Sequence, residues 1–145
     1  MAITQALANS FKKQLLDGDH SFASGSDVYK IALYTSSATL NSATTSYTTG
    51  NEVGNSGQYS AGGGKLTGNN TSIASGVAIV DFADRSFTGV TLTARGALIY
   101  NTSSTATNAA VAALDFGADK TATSGTFTVQ FPAATTSAAI LRISG

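Results

Sequence analysis

Cysteine and tryptophan are absent, proline occurs once at Pro132 and histidine once at His20. Without cysteine there is no disulfide framework, no thiolate nucleophile and no cysteine-ligated zinc. One histidine alone cannot build a standard transition-metal centre, and no acids stand at calcium-loop spacing. No metal and no other cofactor is therefore expected. Charge is scarce as well: charged residues are 11% of the chain, eight basic against eight acidic, for a net of zero. An average domain carries about 25%. Eight scattered cations make no basic patch, which argues against a nucleic-acid partner. No apolar run approaches the roughly 18 residues of a membrane helix, which argues against a membrane partner. The opening Met1-Ala2-Ile3-Thr4-Gln5 has neither the charged nor the apolar region of a secretory signal, so synthesis in a reducing cytoplasm is expected.

What replaces the charge is Ser and Thr, about a quarter of the chain, with 15 Gly. Thr suits a half-exposed pleated surface better than a helix. A low-charge, hydroxyl-rich surface is also poorly protected against association, an asset in a protein that assembles. At 145 residues a single domain spanning 1–145 is expected.

Ile3, Leu7, Phe11 and Leu15 recur every fourth residue, which predicts an amphipathic helix over residues 1–18, closed by Gly18. It either covers the sheet domain of residues 26–145 or acts as an arm on a neighbouring subunit. Alternating or apolar runs predict strands at 28–35, 76–82, 87–93, 97–100, 109–116, 125–131 and 138–144, with 101–108 as a hairpin loop. Residues 36–75 are mostly Ser, Thr, Gly and Asn, far longer than an ordinary connection. They either hide short edge strands, such as 46–49 and 65–67, or form an excursion that orders on a partner. Tyr47 and Tyr59 are the only aromatics there and the expected anchors. Short strands at this spacing predict a mainly β fold: an antiparallel β-sandwich or jelly-roll-like domain with one N-terminal amphipathic helix.

Val77-Ala78-Ile79-Val80-Asp81-Phe82 is echoed by Val111-Ala112-Ala113-Leu114-Asp115-Phe116, followed by Asp84-Arg85 and Asp119-Lys120 respectively. The echo predicts two similar strand-turn-strand units in which Asp81 and Asp115 set turns, with Arg85 and Lys120 as partners. Paired carboxylates or a calcium site are the sharper alternative. His20, between Asp19 and Ser21, is expected to cap or make a turn hydrogen bond. Gly62-Gly63-Gly64-Lys65 fails as a phosphate loop, because Leu66 replaces Ser/Thr and Tyr59 stands where the first Gly belongs. Asp115-Phe116-Gly117 matches the kinase metal-binding triplet without a catalytic loop. No catalytic residues are assigned, and no enzyme is expected.

The segments Phe11-Lys12-Lys13-Gln14-Leu15-Leu16, Val28 to Thr35, Ala94-Arg95-Gly96-Ala97-Leu98-Ile99-Tyr100-Asn101, Leu114-Asp115-Phe116-Gly117 and Gly125 to Pro132, in that order, resemble a family of small virion proteins of tailed bacteriophages. The resemblance spans nearly the whole chain. Size and β-rich character are similar to phage capsid cement proteins with jelly-roll folds. The resemblance implies a capsid decoration protein on the exterior of the head, with the major capsid protein and further copies of itself (a dimer or trimer) as partners. A tail- or fibre-associated protein contacting the host surface or carbohydrate is the alternative. Phe11, Leu15, Tyr47 and Tyr59 are the expected subunit or capsid contacts.

Overall fold

A computed structural model describes residues 2–135 and 137–144. Chain order is β1 (Ala6–Leu7), α1 (Asn9–Leu16), β2 (Tyr29–Tyr34), β3 (Gly64–Lys65), β4 (Asn70–Ala74), β5 (Val77–Asp81), β6 (Arg85–Asn101), β7 (Ala109–Val129) and β8 (Leu141–Ile143). The strands form two antiparallel sheets, β1-β7-β6-β2-β3 and β4-β5-β8. The fold is mainly β with one short helix near the N-terminus, as the composition and alternation predict.

The helix is shorter than the four-residue spacing predicts. Residues 2–8 are extended: Thr4 N–H donates to Leu40 O, Ala8 N–H to Val111 O, and Ala6 pairs with Ala113. Residues four apart share a face of a strand as well as of a helix, so Ile3 and Leu7 fit either period. Open backbone edges of β7 and of the Leu40 segment decide for the strand. The helix ends as expected in a Schellman motif. Gly18 has φ +81°, its N–H donates to Leu15 O, and the Asp19 N–H donates to Gln14 O.

The expected strands 87–93 and 97–100 are one strand, β6, and 109–116 and 125–131 merge into β7. The two pair through the 101–108 hairpin loop, and register shifts absorb what the sequence suggests as breaks. Three extra β7 residues accumulate between Lys120↔Ala94 and Asp115↔Gly96, where Gly117 takes φ +81°. A bulge of this kind bends the ribbon. Its inner half is buried on both faces, with Ala97 to Tyr100 and Ala109 to Leu114 all buried. Its outer half alternates. Phe87, Val90, Leu92, Ala122, Phe127 and Val129 point into the core, while Ser86, Thr88, Thr91, Thr93, Thr121, Thr123, Thr126 and Thr128 are exposed.

The echoed hexapeptides are not structural equivalents. Val77 to Asp81 is strand β5 of the small sheet, and residues 82–84 connect it to β6 of the large sheet. Val111 to Phe116 runs through the middle of the large sheet, and Asp119-Lys120 continues β7 without a turn. Similar local sequence was placed in different layers by its neighbours. Residues 36–75 contain short edge strands, in line with the first of the two readings. β3 and β4 lie there, Ser46 bridges Ala109, and Ala38, Leu40, Val53, Tyr59 and Leu66 join the core.

Candidate functional site

Four of the five tyrosines gather around Glu52, the only glutamate. Tyr59 OH donates to Glu52 Oε2 at 2.6 Å, Tyr47 OH donates to Oε1 at 2.5 Å, and the Gly62 N–H donates to Oε2 at 2.8 Å. Tyr100 OH donates to Gly62 O at 2.6 Å and its ring stacks on Tyr47, with centroids 4.8 Å apart. Tyr34 OH donates to Thr48 O at 2.6 Å. Burial, and then the Glu52 carboxylate, push the Tyr34, Tyr47 and Tyr59 phenols well above their ordinary range, and Tyr100 up to about 12. These phenols are fixed as neutral donors. The cluster fastens the 46–64 segment to the large sheet.

Burial bears on the expected contacts. Phe11 and Tyr59 are 1% and 0% exposed: Tyr59 is enclosed, whereas Phe11 is buried behind the wall of a groove. Tyr47 is half-buried against Tyr100, and Leu15 is half-buried at the wall of a groove.

His20, expected to cap or make a turn hydrogen bond, is buried and bonds side chains instead. Asn101 Nδ2 donates to His20 Nδ1 at 2.9 Å and to Asp27 Oδ2 at 2.8 Å. With Nδ1 accepting, the ring proton sits on Nε2 and is donated to Gln14 Oε1 at 2.9 Å. Burial lowers the His20 pKa, against the opposing pull of Asp19 and Asp27. The ring lies 4.9 Å from Phe11 and ties α1 to the end of β6. Every polar atom of the imidazole is used in holding the helix.

Two acids of the echoed segments accept backbone amides. Asp115 Oδ1 accepts the Gly117 N–H at 2.9 Å and faces Arg95 Nε at 3.2 Å; these hold its carboxyl below the usual range. Asp84 accepts the Phe131 N–H at 2.8 Å. Asp115 thus makes the expected side-chain-to-backbone hydrogen bond, but at a bulge inside β7 rather than at a turn, and its cation is Arg95, not Lys120. Arg85 lies over the Phe87 ring at 4.7 Å rather than on an aspartate. Among the described residues no group of three or more His, Asp or Glu side chains is placed to hold a metal ion, and no helix is long and apolar enough to cross a membrane. The Gly62–Gly64 run serves packing. A Cβ on Gly63 would stand 1.7 Å from Ile31 O, and one on Gly64 would press on the Arg85 guanidinium.

A mostly apolar groove of about 390 Å³ lies between α1 and the small sheet. Leu7, Phe11, Leu15 and Phe22 form one side, and Val80, Leu141 and Ile143 the other, with His20 at its wall. In the small sheet Thr71 pairs with Val80 and Val80 with Leu141, while Ile73 pairs with Ala78 and Ala78 with Ile143. Paired residues share a face. The Val80–Leu141 row packs against the core, whereas the next row runs past it: Ile73 is 76% and Ile143 61% exposed. Leu16, beside Leu15 in the chain, is 90% exposed. Sequence reasoning missed this surface because Asn70-Thr71-Ser72-Ile73-Ala74 contains one large apolar residue among loop formers. The only signal was Ser75-Gly76, two positive-φ residues closing a tight hairpin.

No family model, curated protein or solved structure matches this chain.

Proposed function

We propose that this protein is a phage capsid decoration protein, binding the outside of the assembled head as a homo-oligomer and bridging neighbouring capsomers, with no catalytic step. The observation that carries the reading is the solvent-facing apolar row Ile73–Ala78–Ile143 beside the groove. Exposed apolar surface next to a concave site marks a protein contact more often than a free surface. The low charge and abundant hydroxyls support it, since many weak contacts repeated over a lattice give avidity without one strong site. The order of segments resembling small phage virion proteins points the same way.

The outer face of β6 and β7 favours a second reading, a tail- or fibre-associated protein that meets the host surface. Its hydroxyls pair across the strands, Ser86 with Thr128 at 2.9 Å and Thr93 with Thr121 at 2.8 Å. A hydroxyl-rich face of this kind can exchange such bonds with a carbohydrate.

Copy number in purified virions, measured by quantitative mass spectrometry against the major capsid protein, separates the two. Decoration requires a simple ratio to the shell protein. About six to a few dozen copies indicates a tail or fibre position, as low-order symmetry there dictates. Absence from the particle overturns both.

A further inference from the structure

We infer that β4 is a self-association edge, pairing antiparallel with β4 of a second copy about a twofold axis through Ser72. The inference deepens the homo-oligomer part of the proposed function and rests on how the sheet edges differ.

Natural edge strands avoid pairing by being short, charged or bulged. In the large sheet β1 and β3 have two residues each, and β3 carries Lys65. β8 has three residues and carries Arg142. The outer part of β7 also has an open side, but it carries Asp119 and Lys120 and is interrupted by register shifts. β4 has none of these protections. It is five residues long, unbroken in register against β5, free of charge and proline, and exposed at every position. Because it is uncharged, self-pairing sets no like charges opposite each other.

The hairpin fixes which backbone groups are open. Ser75-Gly76 is a two-residue loop, so Ala74 and Val77 close it as a hydrogen-bonded pair. Alternation then turns Ser72 and Asn70 inward to β5, and Thr71 and Ile73 outward. The outward Thr71 N–H is met only by the Asn70 side-chain carbonyl, at 2.9 Å on its own strand. Two antiparallel copies overlap over all five residues only when Ser72 faces Ser72 of the second copy. In that register Ile73 and Thr71 of the second copy exchange backbone N–H to C=O bonds, the Thr71 N–H leaving its Asn70 side-chain partner. The rows also join: Ile143, Ala78 and Ile73 continue into Thr71, Val80 and Leu141 of the second copy, a mostly apolar row across six strands. The exposed Ile73 thereby gains a cross-strand neighbour.

The chain lacks cysteine, so a single substitution reports the register. Ser72 would face its copy as a non-hydrogen-bonded pair, with Cα atoms about 4.5 Å apart, inside disulfide range. Under mild oxidation S72C is expected to cross-link at least tenfold faster than T49C, on an exposed loop. The purified wild-type chain is expected at dimer mass by sedimentation. I73K is expected to weaken the dimer at least tenfold while keeping the wild-type circular dichroism spectrum. Monomer mass at about 100 μM, or equal cross-linking of S72C and T49C, overturns the inference. So does exchange protection of the β4 amides that appears only on phage heads, which would assign the edge to the shell protein. All but the last measurement use the purified chain, so their failure is separate from failure of the decoration reading, which virion copy number tests.

Discussion

Tyr59 and Glu52 hold the 46–64 segment onto the sheet through a single hydroxyl: Tyr59 OH donates to Glu52 Oε2 at 2.6 Å and accepts the Leu33 N–H at 2.8 Å. Removing that oxygen leaves a buried strand amide and a carboxylate oxygen each short of a partner. Y59F is expected to cost about 1–3 kcal/mol by urea denaturation. Combined with E52Q the loss should be less than additive, since both variants break one network.

The helix latch predicts acid sensitivity. The folded pKa of His20 lies below its unfolded value, so the unfolded chain takes up the proton first. Stability from this site is therefore complete above about pH 6.5 and falls as pH drops below it. As the only histidine, His20 gives one imidazole resonance in NMR titration, whose midpoint should lie below 6.5. H20N should flatten the fall in melting temperature between pH 7 and 5.

The buried phenols predict the opposite limb. Their folded pKa values are raised, so the unfolded chain loses those protons first as pH rises past about 10. Each such tyrosine should withdraw about 1.4 kcal/mol of stability per pH unit above that point. Melting temperature between pH 9 and 11.5, followed with phenolate absorbance, checks this. Gradual ionisation of the native protein near pH 10 would contradict the burial.

Two glycines with nearly the same φ should respond very differently to alanine. Gly63 (φ +78°) lies against Ile31 O, whereas Gly76 (φ +77°) has open space around it. G76A should cost only the left-handed conformation, about 1–2 kcal/mol. G63A must also push two backbone segments apart and should cost more than about 3 kcal/mol or prevent folding. Matched denaturation curves decide it.

Several elements were legible locally. The alternation of Thr126 to Val129 and the apolar run at Tyr29 to Tyr34 specify strands by themselves, and Gly18 specifies the helix end. The echoed hexapeptides misled because identical patterning says nothing about which layer a strand joins. Burial was no more legible. Phe11 and Tyr59 look like anchors in a polar context, yet each is buried by segments distant in the chain.

By itself the sequence determined a β-rich, cysteine-free chain with a hydroxyl-rich and nearly uncharged surface, because period, propensity and composition are properties of neighbouring residues. Tertiary structure alone decided that Ile3 and Leu7 lie in extended chain rather than a helix. It also decided that one glutamate collects four tyrosines, and that Asn70 to Ala74 stands as an open edge. Each of those depends on which backbone edges and buried polar groups meet across long separations, and only the folded chain brings them together.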